Sequence, residues 1–178
     1  MDTKPNKFSS HHKNGKFMFV IAWIIALALL TWFFRPIEER QYNPNASPSM
    51  LSENGVKKVQ LKRNRYGHYI TNGLINDEPV VFLVDTGASE VSIPQKVSRK
   101  LNLKAGMALP RSTANGTINV YMTQLDHLKI GGISLYDLRA SINPHMDGET
   151  ILLGMSALKE IEFHQRNKVL TLTQYPYP

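Results

Sequence analysis

The sequence predicts an all-β domain, a barrel or a sandwich, that follows one apolar N-terminal helix. The apolar run from Phe17 to Phe34 is uninterrupted, residues 35–56 are rich in turn formers, and short apolar runs with Gly, Asn and Pro turns follow. Many short strands joined by such turns are typical of all-β folds. A length of 178 residues leaves room for one domain with attachments.

The first element is the segment Phe17–Phe34, which contains no charged residue. Because a helix rises 1.5 Å per residue, the segment just spans a hydrocarbon core of roughly 30 Å. Lysines outnumber acidic residues in the tail 1–16, so the positive-inside rule predicts a cytoplasmic N-terminus. A cleaved signal peptide is the alternative, but no small-residue cleavage pattern follows the segment. We therefore expect a single-pass inner-membrane anchor over residues 17–34, with the rest of the chain periplasmic in a Gram-negative cell.

The second element, residues 35–56, is rich in Pro, Asn and Ser and has no hydrophobic periodicity. This composition predicts a flexible linker. The basic cluster Lys57–Arg65 comes next and lacks interleaved aromatic residues, so it predicts a solvated strand edge and no nucleic-acid partner. Contact with anionic lipid is the less favoured alternative.

The folded domain is predicted over residues 57–178. Its first hairpin consists of strands His68–Ile75, with a bend at Gly73, and Val80–Val84, with the turn at Asn76–Pro79. The polar and apolar pattern of Pro94–Lys104 predicts one short helix. Further strands are predicted in the segments INVYMTQLDHLKI, ISLYDLRASI, ILLGMSAL and IEFHQRNKVLTL, with turns at Gly131-Gly132 and Gln165–Asn167.

The segment VVFLVDTGASEVSIP, residues 80–94, carries a carboxylate at Asp85. This residue directly follows a continuous apolar run, which is typical of a buried strand. A charge in such a place is costly unless it is hydrogen-bonded, which suggests a functional role. The Thr86 hydroxyl can bond to the backbone, and Gly87 permits a tight turn and a close approach of another backbone. The alternative is a carboxylate that only caps its own turn.

Three segments resemble the retropepsin-like aspartic proteases, in particular their bacterial membrane-anchored relatives. FLVDTGAS (82–89) is similar to the catalytic loop of that family, TANG (113–116) to its flap tip, and ILLGMSAL (151–158) to its second apolar-Gly element. The resemblance implies a closed β-barrel with one short helix. Ala157 departs from the usual pattern, which has a bulky apolar residue there.

The resemblance also implies roles for individual residues. Asp85 would be the catalytic carboxylate, and the Thr86 hydroxyl would lock two paired loops together. The remaining expected site residues are Gly87 and Ala88 in the active-site loop, Ala114, Asn115 and Gly116 in a flap over the substrate, and Leu152, Leu153 and Gly154 in the supporting apolar-Gly element.

Aspartic proteases activate a water molecule between two Asp carboxylates that share one proton. This chain has one such motif, because no Thr-Gly or Ser-Gly follows Asp77, Asp126, Asp137 or Asp147. We therefore expect a homodimer in which an isologous interface supplies Asp85 twice. The expected function is endopeptidase cleavage of a protein or peptide substrate. A non-catalytic peptide-binding or dimerisation module on the same fold is the alternative.

Other chemistry has little support in the sequence. The chain contains no Cys, which excludes disulfides and thiolate metal sites. Its six His are single or adjacent without the spacing of a ligand set, so no metal and no cofactor are expected. Arg111, close to the expected flap, suggests tolerance for acidic peptides.

Overall fold

The computed structural model describes residues 11–113 and 116–176. The chain forms two compact units, which are divided after Glu39. The first contains most of helix α1 (His11–Tyr42), which extends beyond both ends of the predicted Phe17–Phe34 segment. All side chains from Phe17 to Phe34 are exposed. The part Lys16–Tyr42 is long and apolar enough to cross a membrane.

The second unit is an all-β fold, as predicted, but it contains two short helices where one was expected. A seven-stranded sheet has the order β3-β4-β9-β5-β8-β7-β6, and β7 also pairs with β3. Six strands therefore close into a barrel, and β6 extends from β7 outside the ring. A second sheet has four strands, in the order β1-β2-β11-β10. The elements are β1 (Ser49–Glu53), β2 (Val56–Lys62), β3 (Ile70–Ile75), β4 (Glu78–Val84), β5 (Val91–Pro94), α2 (Gln95–Lys100), β6 (Ala108–Thr113), β7 (Gly116–Ile130), β8 (Ile133–Asn143), β9 (Thr150–Leu153), α3 (Met155–Leu158), β10 (Glu162–Arg166) and β11 (Val169–Gln174).

The hairpin β3–β4 closes the barrel. Its turn is at Asn76 and Asp77, whose φ angles of 48° and 66° fit a two-residue turn with the twist of the strands. Gly73 lies where β3 crosses β7, because an added Cβ would be 2.4 Å from the Lys129 carbonyl oxygen. The predicted bend at Gly73 is thus a close approach of two backbones.

One hydrophobic core joins the two sheets. Phe82 on β4 is fully buried, and Leu125 and Leu128 on β7 face the same interior. The four-stranded sheet adds a row of buried residues from its two central strands. These are Val59 and Leu61 on β2, and Leu170 and Leu172 on β11. Burying such aliphatic side chains stabilises the fold by about 1.5 to 3 kcal/mol each.

The segment predicted as a flexible linker, residues 35–56, has a regular structure instead. Helix α1 continues to Tyr42, and β1 pairs with β2. Asn45 is only 3% exposed, and its side chain bonds to the backbone of Lys62 and Ile70. The prediction of a flexible linker was therefore wrong. Asn is common in turns, but its side chain can also form hydrogen bonds with buried main-chain groups.

Candidate active site

Asp85 is held at the end of a barrel strand by its own backbone. Strand β9 runs parallel to β4, with Val84 opposite Leu153, and the Asp85 N–H donates to the Leu153 carbonyl at 3.1 Å. The same strand β9 also pairs with β5, at Leu152 opposite Ser92. The strands that enter and leave the 85–90 loop are thus fixed by one common neighbour.

The loop itself is a tight turn around the carboxylate. The Gly87 N–H donates to Asp85 Oδ1 at 2.9 Å, and the Ala88 N–H donates to the Asp85 carbonyl at 3.2 Å. Asp85 and Ala88 are half-buried, whereas Thr86 and Gly87 are exposed. The turn therefore orients the carboxylate while its tip stays open to another molecule.

The apolar-Gly element supports this loop from below. Gly154 packs against it so closely that an added Cβ would be 2.2 Å from the Glu90 carbonyl oxygen. At the start of α3, the Met155 N–H donates to the Ala88 carbonyl at 2.8 Å and the Ser156 N–H to that of Ser89 at 3.0 Å. The structure thus brings Leu152, Leu153 and Gly154 together with the Asp85 loop.

The expected flap is a hairpin of β6 and β7. Its last described pair is Thr113 opposite Gly116, and Gly116 has a φ of +110° that favours glycine. Ala114 and Asn115, also expected in the flap, lie outside the described residues. Thr113 and Gly116 thus end the described part of this hairpin, whose strand β6 lies outside the barrel ring.

An ion pair joins this hairpin to the end of the loop. Arg111 Nη2 on β6 lies 2.5 Å from Glu90 Oε1. The Glu90 side chain is 18% exposed, and its Oε2 is buried with no hydrogen-bond partner among the described residues. Because Arg111 is already paired, its charge gives weaker support for acidic substrates than the sequence suggested.

Two residues that contact the loop, Glu90 and Ser156, were not predicted from the sequence. Glu90 follows the expected motif directly, but its partner lies on another strand. The Ser156 hydroxyl accepts from the Val91 N–H at 3.0 Å and donates to the Arg139 carbonyl at 2.8 Å, which fixes α3 between two strands. A Ser in a short helix carries no sequence signal for that role.

A second charged contact fixes the start of β9. Lys96 and Lys100 on α2 lie 2.6 and 3.0 Å from the Glu149 carboxylate. The hydrogen bond from Lys96, followed by that from Lys100, lowers the pKa of Glu149 from its ordinary 4.5 to about 2. No group of three His, Cys, Asp or Glu in the described part of the chain could hold a metal ion.

Comparisons with known proteins agree with this architecture. Residues 71–160, about half of the chain, match the family described as "gag-polyprotein putative aspartyl protease". The crystal structure of a retropepsin-like aspartic protease from Rickettsia conorii is similar, with a TM-score of 0.56 and 25% identity over 71% of this chain and 95% of that protein. The fold is thus that of a retropepsin-like aspartic protease, and the chain belongs to the gag-polyprotein aspartyl protease family.

Two sequence relatives are themselves uncharacterized proteins. The one in the cobV 5′ region of a Sinorhizobium species is 25% identical over 169 residues, which is 88% of this chain and 72% of the relative. The one from Rickettsia prowazekii (strain Madrid E) is 27% identical over 132 residues, which is 72% of this chain and 56% of the relative. The aligned region thus covers little more than half of the second relative.

Proposed function

We propose that the protein is a membrane-anchored aspartic endopeptidase whose dyad consists of Asp85 from each of two copies. One observation carries the proposal: in a chain of this family, a half-buried Asp85 is held rigidly at a strand end while the loop tip beside it is exposed. A rigid carboxylate is needed for catalysis, and an open tip is needed for the approach of a second loop.

The two carboxylates divide the work of peptide hydrolysis. The ionised Asp85 takes a proton from a water molecule as the water oxygen bonds to the peptide carbonyl carbon, and the protonated one donates its proton to the carbonyl oxygen. The tetrahedral intermediate then collapses. The C–N bond breaks, the leaving nitrogen receives the first proton, and the second carboxylate recovers a proton from the intermediate's hydroxyl.

Local contacts support these roles. The Gly87 N–H on Asp85 Oδ1 stabilises the ionised form and fixes its orientation. The exposed Thr86 would bond with the loop of the second copy. The β6–β7 hairpin, tied to Glu90 through Arg111, would cover a peptide bound across the loops.

The helix α1 is proposed as the anchor. A helix that is apolar and exposed on all sides suits a lipid environment, and the lysines before Phe17 favour a cytoplasmic N-terminus with a periplasmic protease domain. Confinement to a membrane would raise the effective concentration of protomers and so favour a weak dimer.

The first test is Asp85→Asn in the detergent-solubilised full chain, assayed against a peptide library. We expect cleavage to fall by about 1,000-fold, because the general base is lost. The matched control is Asp126→Asn, an exposed carboxylate on β7, which should cleave like the wild type. Equal cleavage by the Asp85 variant and the wild type would reject the catalytic assignment.

The second test addresses the shared dyad. In an equimolar mixture of wild type and Asp85→Asn that is allowed to exchange, about one quarter of the dimers carry two intact carboxylates. Activity should therefore fall to about one quarter of that of wild type alone at the same total protein concentration. A fall to one half would mean that each chain works alone.

The Gly87 contact also favours the alternative of a non-catalytic peptide-binding module, since it is the bond that a merely turn-capping Asp85 would make. That alternative predicts saturable binding of peptides by the wild type without cleavage. The peptide-library assay separates the two functions directly.

A further inference from the structure

Cations lie together at one end of the four-stranded sheet, where the end of β2 meets the turn between β10 and β11. The Arg63 N–H donates to the Lys168 carbonyl at 2.9 Å, which fixes the two segments side by side. The sequence contains no acidic residue from 54 to 76 or from 163 to 178. The basic corner, as we call these cations, is exposed and forms no ion pair within the described ranges; it consists of Lys62, Arg63, Arg65 and Lys168.

The loop after β2, residues 63–68, is built around one buried side chain. Asn64 is 6% exposed, and its Oδ1 accepts from the Tyr66 N–H at 3.0 Å and from the His68 N–H at 2.9 Å. Its own N–H donates to the His68 carbonyl at 2.8 Å. Because these bonds close the loop on itself, Arg65 and Tyr66 are held outward without help from another chain.

An aromatic side chain lies within the basic corner. Tyr66 is 55% exposed, and the guanidinium carbon of Arg65 lies 4.7 Å from the centroid of its ring. A tyrosine has an apolar body and a polar tip, which suits the boundary between water and lipid. A guanidinium matches the geometry of phosphate oxygens. The pair thus presents groups that fit a phospholipid headgroup.

The same loop is bonded to the residues that follow the apolar segment. Asn64 Nδ2 donates to the Tyr42 carbonyl at 2.9 Å, and Arg65 Nη1 donates to Gln41 Oε1 at 2.5 Å. Gln41 is seven residues after Phe34, the last residue of the apolar segment. Seven residues span at most about 25 Å. A chain anchored by α1 therefore keeps this loop close to the bilayer surface.

We infer that the basic corner docks on anionic phospholipid headgroups of the membrane that holds α1. This docking rests on the anchor in the proposed function, and it fixes which face of the protease domain lies against the bilayer. Each Lys or Arg close to an anionic surface raises the docking equilibrium constant by about fivefold. The tether makes docking an intramolecular step, so a few such charges suffice.

The other end of the basic cluster Lys57–Arg65 is a poorer candidate. Strand β2 lies between β1 and β11, so it is not the solvated strand edge that the sequence predicted. Lys57 and Lys58 are about 20 Å from Arg63 along this strand, at 3.3 Å per residue. The acidic Glu53 on β1, opposite Val56, lies beside them. Charge and tether both favour the basic corner.

A fluorescent label in the loop tests its contact with headgroups. The chain has no Cys, so His68→Cys introduces its sole thiol, and Ser52→Cys on β1 is the matched exposed control. Each labelled full-length variant, in the Asp85→Asn background, is reconstituted in nanodiscs of phosphatidylcholine alone or with an equal part of phosphatidylglycerol. Some headgroups carry a nitroxide quencher.

We expect quenching of the label at position 68 to be about threefold stronger in the anionic nanodiscs than in the neutral ones, because the attraction is electrostatic. The label at position 52 should not distinguish the two lipids, and high salt should remove the difference at position 68. Equal quenching at position 68 in both lipids, or a stronger effect at position 52, would overturn the inference.

Two double variants with the same loss of charge locate the docking surface. Arg63→Gln with Arg65→Gln should weaken docking in the anionic nanodiscs by about 25-fold, because two contributions of about fivefold are lost. Lys57→Gln with Lys58→Gln should stay within about twofold of the parent chain, since these residues lie more than a Debye length away. An equal loss in both double variants would contradict docking through the basic corner.

Arg65→Lys separates the charge of this residue from its contacts with Gln41 and Tyr66. The variant keeps the charge but loses the planar group that reaches Gln41 and stacks on the ring. We expect docking within about threefold of the parent chain. A loss as large as that of Arg65→Gln would mean that Arg65 only holds the loop in place, which would contradict its role in lipid binding.

Co-elution of the chain with nanodiscs reports the anchor separately from the quenching. A chain that does not co-elute would reject the anchor and the docking together. One that co-elutes but shows no lipid-dependent quenching would reject the docking alone. If the variants dock while the chain with intact Asp85 cleaves no peptide, the endopeptidase function is rejected and the docking surface stands.

Discussion

Two short irregular segments, around Asn45 and around Asp85, use polar side chains in opposite ways. The Asn45 side chain is buried and makes three hydrogen bonds to the backbone of Lys62 and Ile70. Asp85 is half-buried, accepts one bond from Gly87, and lies beside an exposed tip. A polar side chain whose bonds all go to its own chain fixes the fold. One that is held but still accessible can act on another molecule.

The change expected to have the largest effect is Gly154→Ala, which disturbs the support of the Asp85 loop. The new methyl carbon would be 2.2 Å from the Glu90 carbonyl oxygen and 2.7 Å from that of Ala88, so the backbone must move. We expect a loss of about 3 kcal/mol in the free energy of unfolding. A displaced carboxylate should lower peptide cleavage by about 100-fold. Urea unfolding and the peptide assay measure the two effects.

Gly132→Ala is the matched control, because an added Cβ there meets no atom within 4 Å. It should unfold and cleave like the wild type. If Gly154→Ala also leaves both properties unchanged, the loop is not held by the close contact seen at Gly154.

Asn45→Ala removes the buried polar side chain that holds the other segment. It leaves buried N–H and C=O groups of Lys62 and Ile70 without their partner, and we expect a loss of about 2 kcal/mol in the free energy of unfolding. Cleavage per folded molecule should not change, since Asn45 does not contact the Asp85 loop. Asn119→Ala, at an exposed strand position, is the control for stability. A cleavage defect in folded Asn45→Ala would show that the two segments are coupled.

The same two segments show what the sequence could predict. The strand before Asp85 and the hairpin turn near Asn76 were predictable, because each depends on a local pattern of a few residues. The apolar-Gly element was expected from the family resemblance. The buried, hydrogen-bonded position of Asn45 could not be predicted, since its bonding partners are 17 and 25 residues away in the sequence. Its neighbours in the sequence have the composition of a linker. The contact of Glu90 with Arg111 was missed for the same reason, because strand pairing decides which charges meet.

Arg111→Ala tests the ion pair with Glu90 at the end of the Asp85 loop. It leaves the mostly buried Glu90 carboxylate unpaired, but Arg111 is 43% exposed, so solvent limits the loss to about 1 kcal/mol in the free energy of unfolding. If the pair also ties the hairpin over the substrate, KM should rise more than kcat falls. A double-mutant cycle with Glu90→Gln isolates the pair, and a coupling energy near zero would remove it from the site.

Glu149→Gln is expected to have the smallest effect, because this carboxylate is strongly paired but half-exposed. Lys96 and Lys100 lower its pKa to about 2, so the pairing stabilises the fold fully above the ordinary value of 4.5 and is lost as the pH falls toward 2. The variant should therefore be slightly less stable than the wild type at pH 7, and the difference should shrink between pH 4.5 and pH 2. Salt should reduce it at neutral pH, since exposed charges are screened. Thermal unfolding across this pH range measures the difference, with Glu53→Gln on β1 as the control. A difference that grows toward acid pH would have the wrong sign for a paired carboxylate, and would show that pairing at an exposed position does not hold the start of β9.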